Sequence, residues 1–373
     1  MELNPLAADA RPSLLGLGLG ELESVLLGID GAGPQTRLRA RQLFHWLYHR
    51  GAASFDAMTT LPKGLCDTLG QRYSVARPEI AAEQRSTDGT RKWLLRFADG
   101  QEVETVFIPE DDRGALCVSS QVGCTLSCSF CHTGTMPLVR NLGSAEIVAQ
   151  MLVARDALGE WPTGRDGRLF TNVVMMGMGE PLFNYDATVA ALRLAMDEHG
   201  LNLSRRRITV STSGVVPRIE QLGADLGVGL AISLHAVRDE LRDELVPLNR
   251  KWNIATLLDA CRSYPSRRPI MFEYVMLHGV NDSDADAREL VRLLKDIPAK
   301  VNLIPFNPWP GSAFGCSSNN RIHAFARIVE DAGHASPVRT PRGRDILAAC
   351  GQLKTASERQ RRRPVVPALA AAG

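Results

Sequence analysis

The sequence contains no run of about eighteen apolar residues, the length a membrane-spanning helix requires, and its N-terminus lacks the basic, apolar and small-residue succession of a secretory signal. No membrane partner is expected, and a cytoplasmic location is. Neither sign of charge dominates: 43 Lys and Arg face 41 Asp and Glu, for a formal net charge of +2. Bulk charge therefore supplies no argument for a nucleic-acid partner. No fixed-period self-similarity points to a solenoid. Low hydrophobicity is absent too, since 45% of residues are hydrophobic and 23% charged, which excludes disorder for most of the chain. A length of 373 residues leaves room for a barrel of about 250 residues and a smaller domain of about 120.

The eight cysteines have no oxidising context, so a disulfide framework is not expected. Three of them are instead gathered in VGCTLSCSFCHTG, as C-x-x-x-C-x-x-C at Cys124, Cys128 and Cys131. Isolated cysteines serve mostly as small buried hydrophobes. Three within eight residues, with Gly123 before them and Phe130 between the last two, do not fit that role. A structural zinc site closes four ligands, usually from two separated pairs, and the chain has no second C-x-x-C pair. His132 and Cys117 lie near enough in sequence to be considered as a fourth ligand, which keeps a zinc-bearing RNA-binding protein as an alternative of another class. Three thiolates on one loop can instead hold three irons of a cubane cluster and leave the fourth iron open to an outside ligand.

Residues 1–24, rich in Pro, Gly and Leu, read as a flexible N-terminus. Residues 25–84 read as a small helical accessory domain of RNA-binding type, with Leu43, Phe44, Trp46, Leu47 and Tyr48 as a core face and two shorter helices split at Pro62. Residues 85–114 form a β-hairpin lead-in, KWLLRF and QEVETVFIPE, joined through Asp99-Gly100, which supplies the positive φ a tight turn needs. Across 115–354, apolar strand-like segments alternate with helix-like ones, from ALCVSS and AEIVAQMLVARDAL to KVNLIPF. Six β-then-α units predict an α/β fold, a partial, parallel (β/α)6 barrel with right-handed crossovers, whose near-continuous apolar strands suit a sheet covered on both faces. Residues 355–373 read as a disordered Arg/Pro/Ala-rich tail. Arginines cluster at Arg37, Arg39, Arg41 and Arg50, at Arg205, Arg206 and Arg207, and at Arg339, Arg342 and Arg344, and such clusters are candidate phosphate contacts.

In barrels of this kind chemistry collects at the carboxyl ends of the strands, and the polar residues there form a coherent series. The first strand leads into the cysteine loop. The second ends at MGMGEPL, where Gly177 and Gly179 permit close backbone approach and Glu180 can accept hydrogen bonds from a ligand ammonium. The third ends at Ser211-Thr212-Ser213, the fourth at Ser233-Leu234-His235 and the sixth at Asn307, groups suited to a ribose, a carboxylate or an adenine edge. Ser211 and Ser213 point to the same side of an extended strand, so either hydroxyl could serve. Cys117 and Cys350 stand apart from the loop, and packing alone would account for Cys117 between Leu116 and Val118.

The cysteine loop resembles that of the radical SAM superfamily, in which S-adenosylmethionine (SAM) chelates the open iron through its amino and carboxylate groups. The combination of VETVFIPEDDR, LCVSSQVGC, the loop itself, VVMMGMGEPL, STSGVVP, ISLHA, VNLIPFNPWPG and AACGQL resembles the RlmN family and the closely related Cfr proteins, from about residue 25 to 354. The resemblance implies a radical SAM RNA methyltransferase acting on C2 of adenine 2503 in 23S rRNA and of adenine 37 in tRNA. A Cfr-type adenine C8 rRNA methyltransferase is the alternative that shares the same cysteines. It implies one [4Fe-4S] cluster per chain on Cys124, Cys128 and Cys131, two SAM per turnover, and SAM contacts from Gly179, Glu180, Ser211, Ser233, Leu234, His235 and Asn307. Cys350 would become S-methylcysteine, lose a hydrogen to a 5′-deoxyadenosyl radical and join the base covalently. Glu104 would accept a proton, and Cys117 would release the product by forming a disulfide with Cys350. An electron-donating reductase system and a monomeric chain complete these expectations.

Overall fold

A computed structural model of the chain describes residues 5–6, 11–29, 35–111, 113–164, 168–265 and 268–357. Its N-terminal part is helical, as the periodicity of RQLFHWLYHRG requires. Helix α1 (Leu19–Leu27) packs against α2 (Thr36–Tyr48), whose Leu43, Phe44, Leu47 and Tyr48 are buried. A 3-10 turn at Phe55–Ala57 precedes α3 (Lys63–Arg72), which starts directly after Pro62, a position where the missing proline N–H removes no helical hydrogen bond. Leu14, Leu15 and Leu22 are enclosed in the same core. The Leu14 N–H donates to the Ser74 carbonyl and the Ser74 N–H to that of Pro12. From residue 11 onward, therefore, the segment expected to be a flexible N-terminus is packed, because leucine burial at about 1.5–3 kcal/mol per side chain offsets the entropy of ordering it. The Arg/Pro/Ala-rich tail lies, from residue 358, outside the described residues.

Strands β1 (Glu79–Arg85), β2 (Arg91–Arg96) and β3 (Glu102–Pro109) form an antiparallel meander. The β2–β3 hairpin is the expected one: Gly100 holds φ +78° and Asp99 Oδ1 accepts the Gln101 N–H at 3.1 Å. The sequence reading leaves most of β1 in the helical module. As the outermost strand it exposes nearly every residue, so EIAAEQR carries no alternation of polarity that marks a strand.

Strand β3 pairs antiparallel with β4 (Gly114–Cys117), which opens the barrel. A two-stranded ribbon, β5 (Gln121–Val122) with β6 (Arg140–Asn141), brackets the cysteine loop. Strand β4 then continues in parallel through β7 (Asn172–Met175), β8 (Ile208–Thr212), β9 (Gly229–Ser233), β10 (Ile270–Met276) and β11 (Ala299–Pro305), in that spatial order. Between and after them run α4 (Ser144–Leu158), α5 (Tyr185–Met196), α6 (Val216–Asp225), α7 (Asp239–Leu245), α8 (Ile254–Arg262), α9 (Asp284–Leu294) and α10 (Asn319–Asp331). The six parallel strands are those the alternating pattern predicts, and the antiparallel meander extends them into one nine-stranded sheet. Among the described residues no helix is long and apolar enough to cross a membrane.

The helical module is joined to the barrel by specific contacts. Arg77 pairs with Asp156 at 2.8 Å, and Thr163 Oγ1 donates to the Tyr48 carbonyl at 3.2 Å. A Cβ on Gly16 would lie 2.4 Å from the Ala145 backbone nitrogen, so the N-terminal loop rests directly on the first turn of α4. The arginine clusters separate by location. Arg37 and Arg41 are exposed on α2 and Arg344 is exposed beside the Cys350 segment, whereas exposed Arg205, Arg206 and Arg207 precede β8 at the amino end of the barrel, away from the carboxyl ends.

Candidate active site

The carboxyl ends of the parallel strands surround one cavity of about 1000 Å³, open mouth included. Cys124, Cys128, Cys131, Gly179, Glu180, Ser211, Ser233, His235, Asn307 and Cys350 all line it. Three residues of the expected set do not. Leu234 is fully buried and acts through its backbone, its N–H donating to the Glu273 carbonyl at 3.1 Å and its carbonyl accepting from Arg242 at 3.0 Å. Cys117 lies at the end of β4, behind the cavity wall, and Glu104 lies on β3.

The glycine-rich strand end is built for close approach. Gly179 holds φ +97°, a region side chains resist, and a Cβ there would meet Gln121 at 2.5 Å; one on Gly177 would meet Ser119 Oγ at 2.6 Å. Beyond them Glu180 turns its carboxylate inward, accepting the Ser213 N–H at 2.8 Å and the Leu182 N–H at 3.1 Å. Burial nevertheless outweighs these donors and raises the carboxyl to about 7. Ser211 and Ser233 face each other with hydroxyl oxygens 3.4 Å apart. Ser213 also lines the cavity, and its backbone N–H donates to Glu180.

His235 adopts φ +61° at the end of β9. Its Nδ1 accepts the Val275 N–H at 3.1 Å, which leaves the proton of the neutral ring on Nε2. Burial, with Arg242 adding to it, pulls its pKa down to about 3. Phe130 of the cysteine loop stands edge-on to the His235 ring at 4.6 Å.

Three thiols and one buried carboxylate facing one cavity form a donor set that fits a [4Fe-4S] cluster with SAM. Among the described residues no group of three or more His, Cys, Asp or Glu is placed to hold a single metal ion; a cubane distributes its three thiolates over three irons. Without metal, burial pushes Cys124 to about 12 and raises Cys128 and Cys131. Bound iron would reverse this preference by stabilising the thiolates.

Cys350 reaches the cavity on a segment fastened across the cysteine loop. The Gly351 carbonyl accepts the His132 N–H at 2.7 Å, the Leu353 carbonyl accepts Thr133 Oγ1 at 2.6 Å, and Gln352 Nε2 donates to the Pro308 carbonyl at 2.7 Å. Trp309 stacks on His132 with centroids 4.6 Å apart and donates its indole N–H to the Phe130 carbonyl at 3.0 Å. Asn307 Nδ2 donates to the Cys350 carbonyl at 3.2 Å. The lead-in hairpin supports the other side: Asp88 accepts the Gly343 N–H at 2.9 Å, and Lys92 binds both the Leu347 carbonyl at 3.2 Å and Glu104 at 2.7 Å. Glu104 accepts the Lys354 N–H at 2.8 Å, and burial raises its carboxyl despite Lys92.

Cys350 is exposed and lines the open cavity. Burial raises its thiol, Arg339 opposes that and Glu273 adds to it. Burial also raises Cys117 to about 12, Cys350 reinforcing it and Arg339 opposing it, which places the two thiols in one electrostatic environment. Both are free thiols in this structure. Glu273, absent from the sequence reading, lines the cavity from β10, with Oε1 accepting from Asn302 at 3.0 Å and Oε2 without a partner among the described residues. Trp309 and Gln352 also escaped that reading, and His132 was considered only as a fourth metal ligand; the neighbourhoods CHTG, NPWPG and AACGQL were the available signal.

The chain resembles known proteins over nearly its whole length. The Radical SAM superfamily model matches residues 118–291, and the model of the ribosomal RNA large subunit methyltransferase N-terminal domain matches residues 13–75. The chain is 62% identical to the dual-specificity RNA methyltransferase RlmN of Methylorubrum extorquens (strain PA1), covering 95% of this chain and 87% of that protein. It is 60% identical to that of Gluconobacter oxydans (strain 621H), covering 95% and 88%. The crystal structure of a radical SAM methyltransferase from Sphaerobacter thermophilus superposes with a TM-score of 0.86 at 49% identity, over 92% of this chain and 99% of that one. A fold with six parallel barrel strands, a three-cysteine loop facing a glycine-rich strand end, and matches of this extent place the chain in the RlmN family of dual-specificity RNA methyltransferases, within the radical SAM superfamily.

Proposed function

We propose that this chain methylates C2 of adenine in 23S rRNA and tRNA, with Cys350 as the methyl carrier. The observation that carries this reading is that Cys350 lines the same cavity as Cys124, Cys128 and Cys131, on a segment fastened across their loop. The cluster and SAM, when bound, supply the electron transfer, the methyl group and the hydrogen-abstracting radical. Glu180 offers a carboxylate to the SAM ammonium, and Asn307, the paired serines and the Nε2–H of His235 offer neutral hydrogen-bonding groups. Cys350 is positioned to take a methyl group on sulfur and to present it to a base entering the open mouth.

Once the methyl carbon bridges Cys350 sulfur and C2, and the adduct has given up one electron to the redox centre, Glu104 accepts the proton leaving C2; its buried carboxyl is raised toward the range useful for a base. Cys117 then attacks Cys350 sulfur. The S–S bond forms, the sulfur–carbon bond to the RNA breaks, and protonation of that carbon yields the methyl group. The exposed Arg37 and Arg41 face of α2, together with Arg344, supplies phosphate contacts, and extrusion of the base brings it to the mouth. The enzyme acts as a cytoplasmic monomer served by an external electron-donating reductase.

The test is mass spectrometry of adenosines from 23S rRNA and tRNA after anaerobic incubation with reconstituted protein, SAM and a reductant. Formation of 2-methyladenosine supports the proposal. Formation of 8-methyladenosine, or SAM cleavage with no methylated RNA, overturns its regiochemistry or its substrate.

A further inference from the structure

Arg242 on α7 is fully buried, yet among the described residues no carboxylate touches its guanidinium. Its partners are neutral oxygens: Nε donates to the Leu234 carbonyl at 3.0 Å, Nη1 to Asn249 Oδ1 at 2.9 Å, and Nη2 to the carbonyls of Ser213 at 2.7 Å and Ser233 at 3.1 Å. One side chain therefore ties the carboxyl end of β8 to that of β9. Those two ends carry Ser211 and Ser213 on one strand and Ser233 and His235 on the other, all lining the cavity. The sharp turn that puts His235 at φ +61° is held at the preceding residue by the Leu234 bond.

A buried cation without a touching anion is costly, and an opposite charge nearby is needed to offset it. Asp239 and Asp243 supply part of that charge from nearby, and both accept hydrogen bonds from Nδ2 of Asn249, whose Oδ1 binds Arg242. Cys128, a cluster ligand in the proposed function, and Cys261 are also close enough to interact with the guanidinium. A direct backbone bond ties the same two elements together, the Ser129 N–H donating to the Leu245 carbonyl at the end of α7 at 3.2 Å.

We infer that Arg242 is a positioning residue with two effects: its fork holds the SAM-contacting ends of β8 and β9 in register, and its charge faces the cluster at Cys128. This inference rests on the proposed function. A cluster gains negative charge when reduced, so a fixed buried cation beside one ligand favours the reduced form and raises the midpoint potential. Lysine retains the charge but cannot span the same carbonyls, because it lacks the planar fork.

The test uses anaerobically purified holoenzyme, wild type beside Arg242→Lys and Arg242→Gln. Thermal unfolding, SAM affinity from the change SAM causes in the cluster's electron paramagnetic resonance spectrum, and midpoint potential by spectroelectrochemical titration are measured for each. In both variants the SAM Kd is expected to rise about tenfold or more, the scale seen when groups supporting a metal site are lost. The potential is expected to stay near wild type in Arg242→Lys and to become more negative in Arg242→Gln. Variants with a lowered melting temperature but wild-type SAM affinity and potential overturn the inference. If Arg242→Gln does not fold, SAM affinity in Arg242→Lys decides alone. A wild type that holds no cluster overturns the proposed function, and this inference with it, whereas a wild type with cluster and SAM but indifferent variants overturns only the role of Arg242.

Discussion

Glu180 makes the stability of the cluster-free protein depend on pH in a defined direction. Its carboxyl is raised from 4.5 to about 7 by burial, against the two backbone N–H groups that favour ionisation. A raised carboxyl binds its proton more tightly in the folded than in the unfolded state. The stability it contributes is therefore fully present below pH 4.5 and is lost as pH rises through 7. At about 1.4 kcal/mol for each unit of pKa difference, the loss amounts to about 3 kcal/mol. His235 acts in the opposite sense: its pKa is pulled from 6.5 to about 3, so its contribution is present above pH 6.5 and lost as pH falls toward 3. The wild-type profile alone thus mixes opposing slopes, and the difference between wild type and Glu180→Gln isolates the carboxyl. Urea unfolding of both cluster-free proteins from pH 4.5 to 8 should show the wild type losing about 3 kcal/mol relative to the variant. Loss of a hydrogen bond in the Glu180→Gln variant adds a constant offset of about 1 kcal/mol without pH dependence. A difference that stays flat across this range refutes the claim that burial governs Glu180.

Cys350→Ala is expected to keep the iron–sulfur absorption and SAM binding but to give no methylated adenosine, whereas Cys117→Ala should accumulate an RNA-linked protein, seen as a nuclease-sensitive band shift in a denaturing gel. Gly179→Ala places a Cβ 2.5 Å from Gln121 at φ +97°; it should destabilise the protein by about 1–3 kcal/mol in urea titration and weaken SAM binding. Trp309→Ala removes the stack on His132 and the bond to Phe130. Limited proteolysis should then cut faster near Cys350, and methylation of that cysteine, followed by intact-protein mass, should slow about tenfold while the cluster spectrum is unchanged.

Local patterns made much of this protein legible. The three-cysteine loop was legible because Cys124, Cys128 and Cys131 all lie on one short segment. The parallel strands and α4, α5, α8 and α9 are equally local, since each is either a continuous apolar run or carries its own apolar period. Strand β1 and helix α7 were not legible as elements. EIAAEQR is exposed almost throughout, and DELRDEL buries only Arg242 and Leu245, so neither has a hydrophobic period; both are secured by neighbours distant in sequence.

The site divides along the same line. Residue types and strand-end positions of Glu180, Ser211, Ser233, His235 and Asn307 follow from sequence, because a barrel of known strand order exposes its strand ends together. Leu234 shows the limit, since its strand-end position follows from sequence while its side chain turns into the core and its backbone bonds Glu273 and Arg242. What determined the rest was long-range closure: Glu104 meets Lys92 and the Lys354 N–H, the Cys350 segment crosses the cysteine loop, and Arg242 joins two strand ends. The sequence by itself determined the kinds of ligand and the order of the strands, which depend on spacing and period along one segment. Which buried groups share a cavity, which charge goes without a touching partner and which carboxyl is raised were decided by the tertiary structure, because desolvation and hydrogen bonding depend on everything packed around a group and not on its neighbours in the chain.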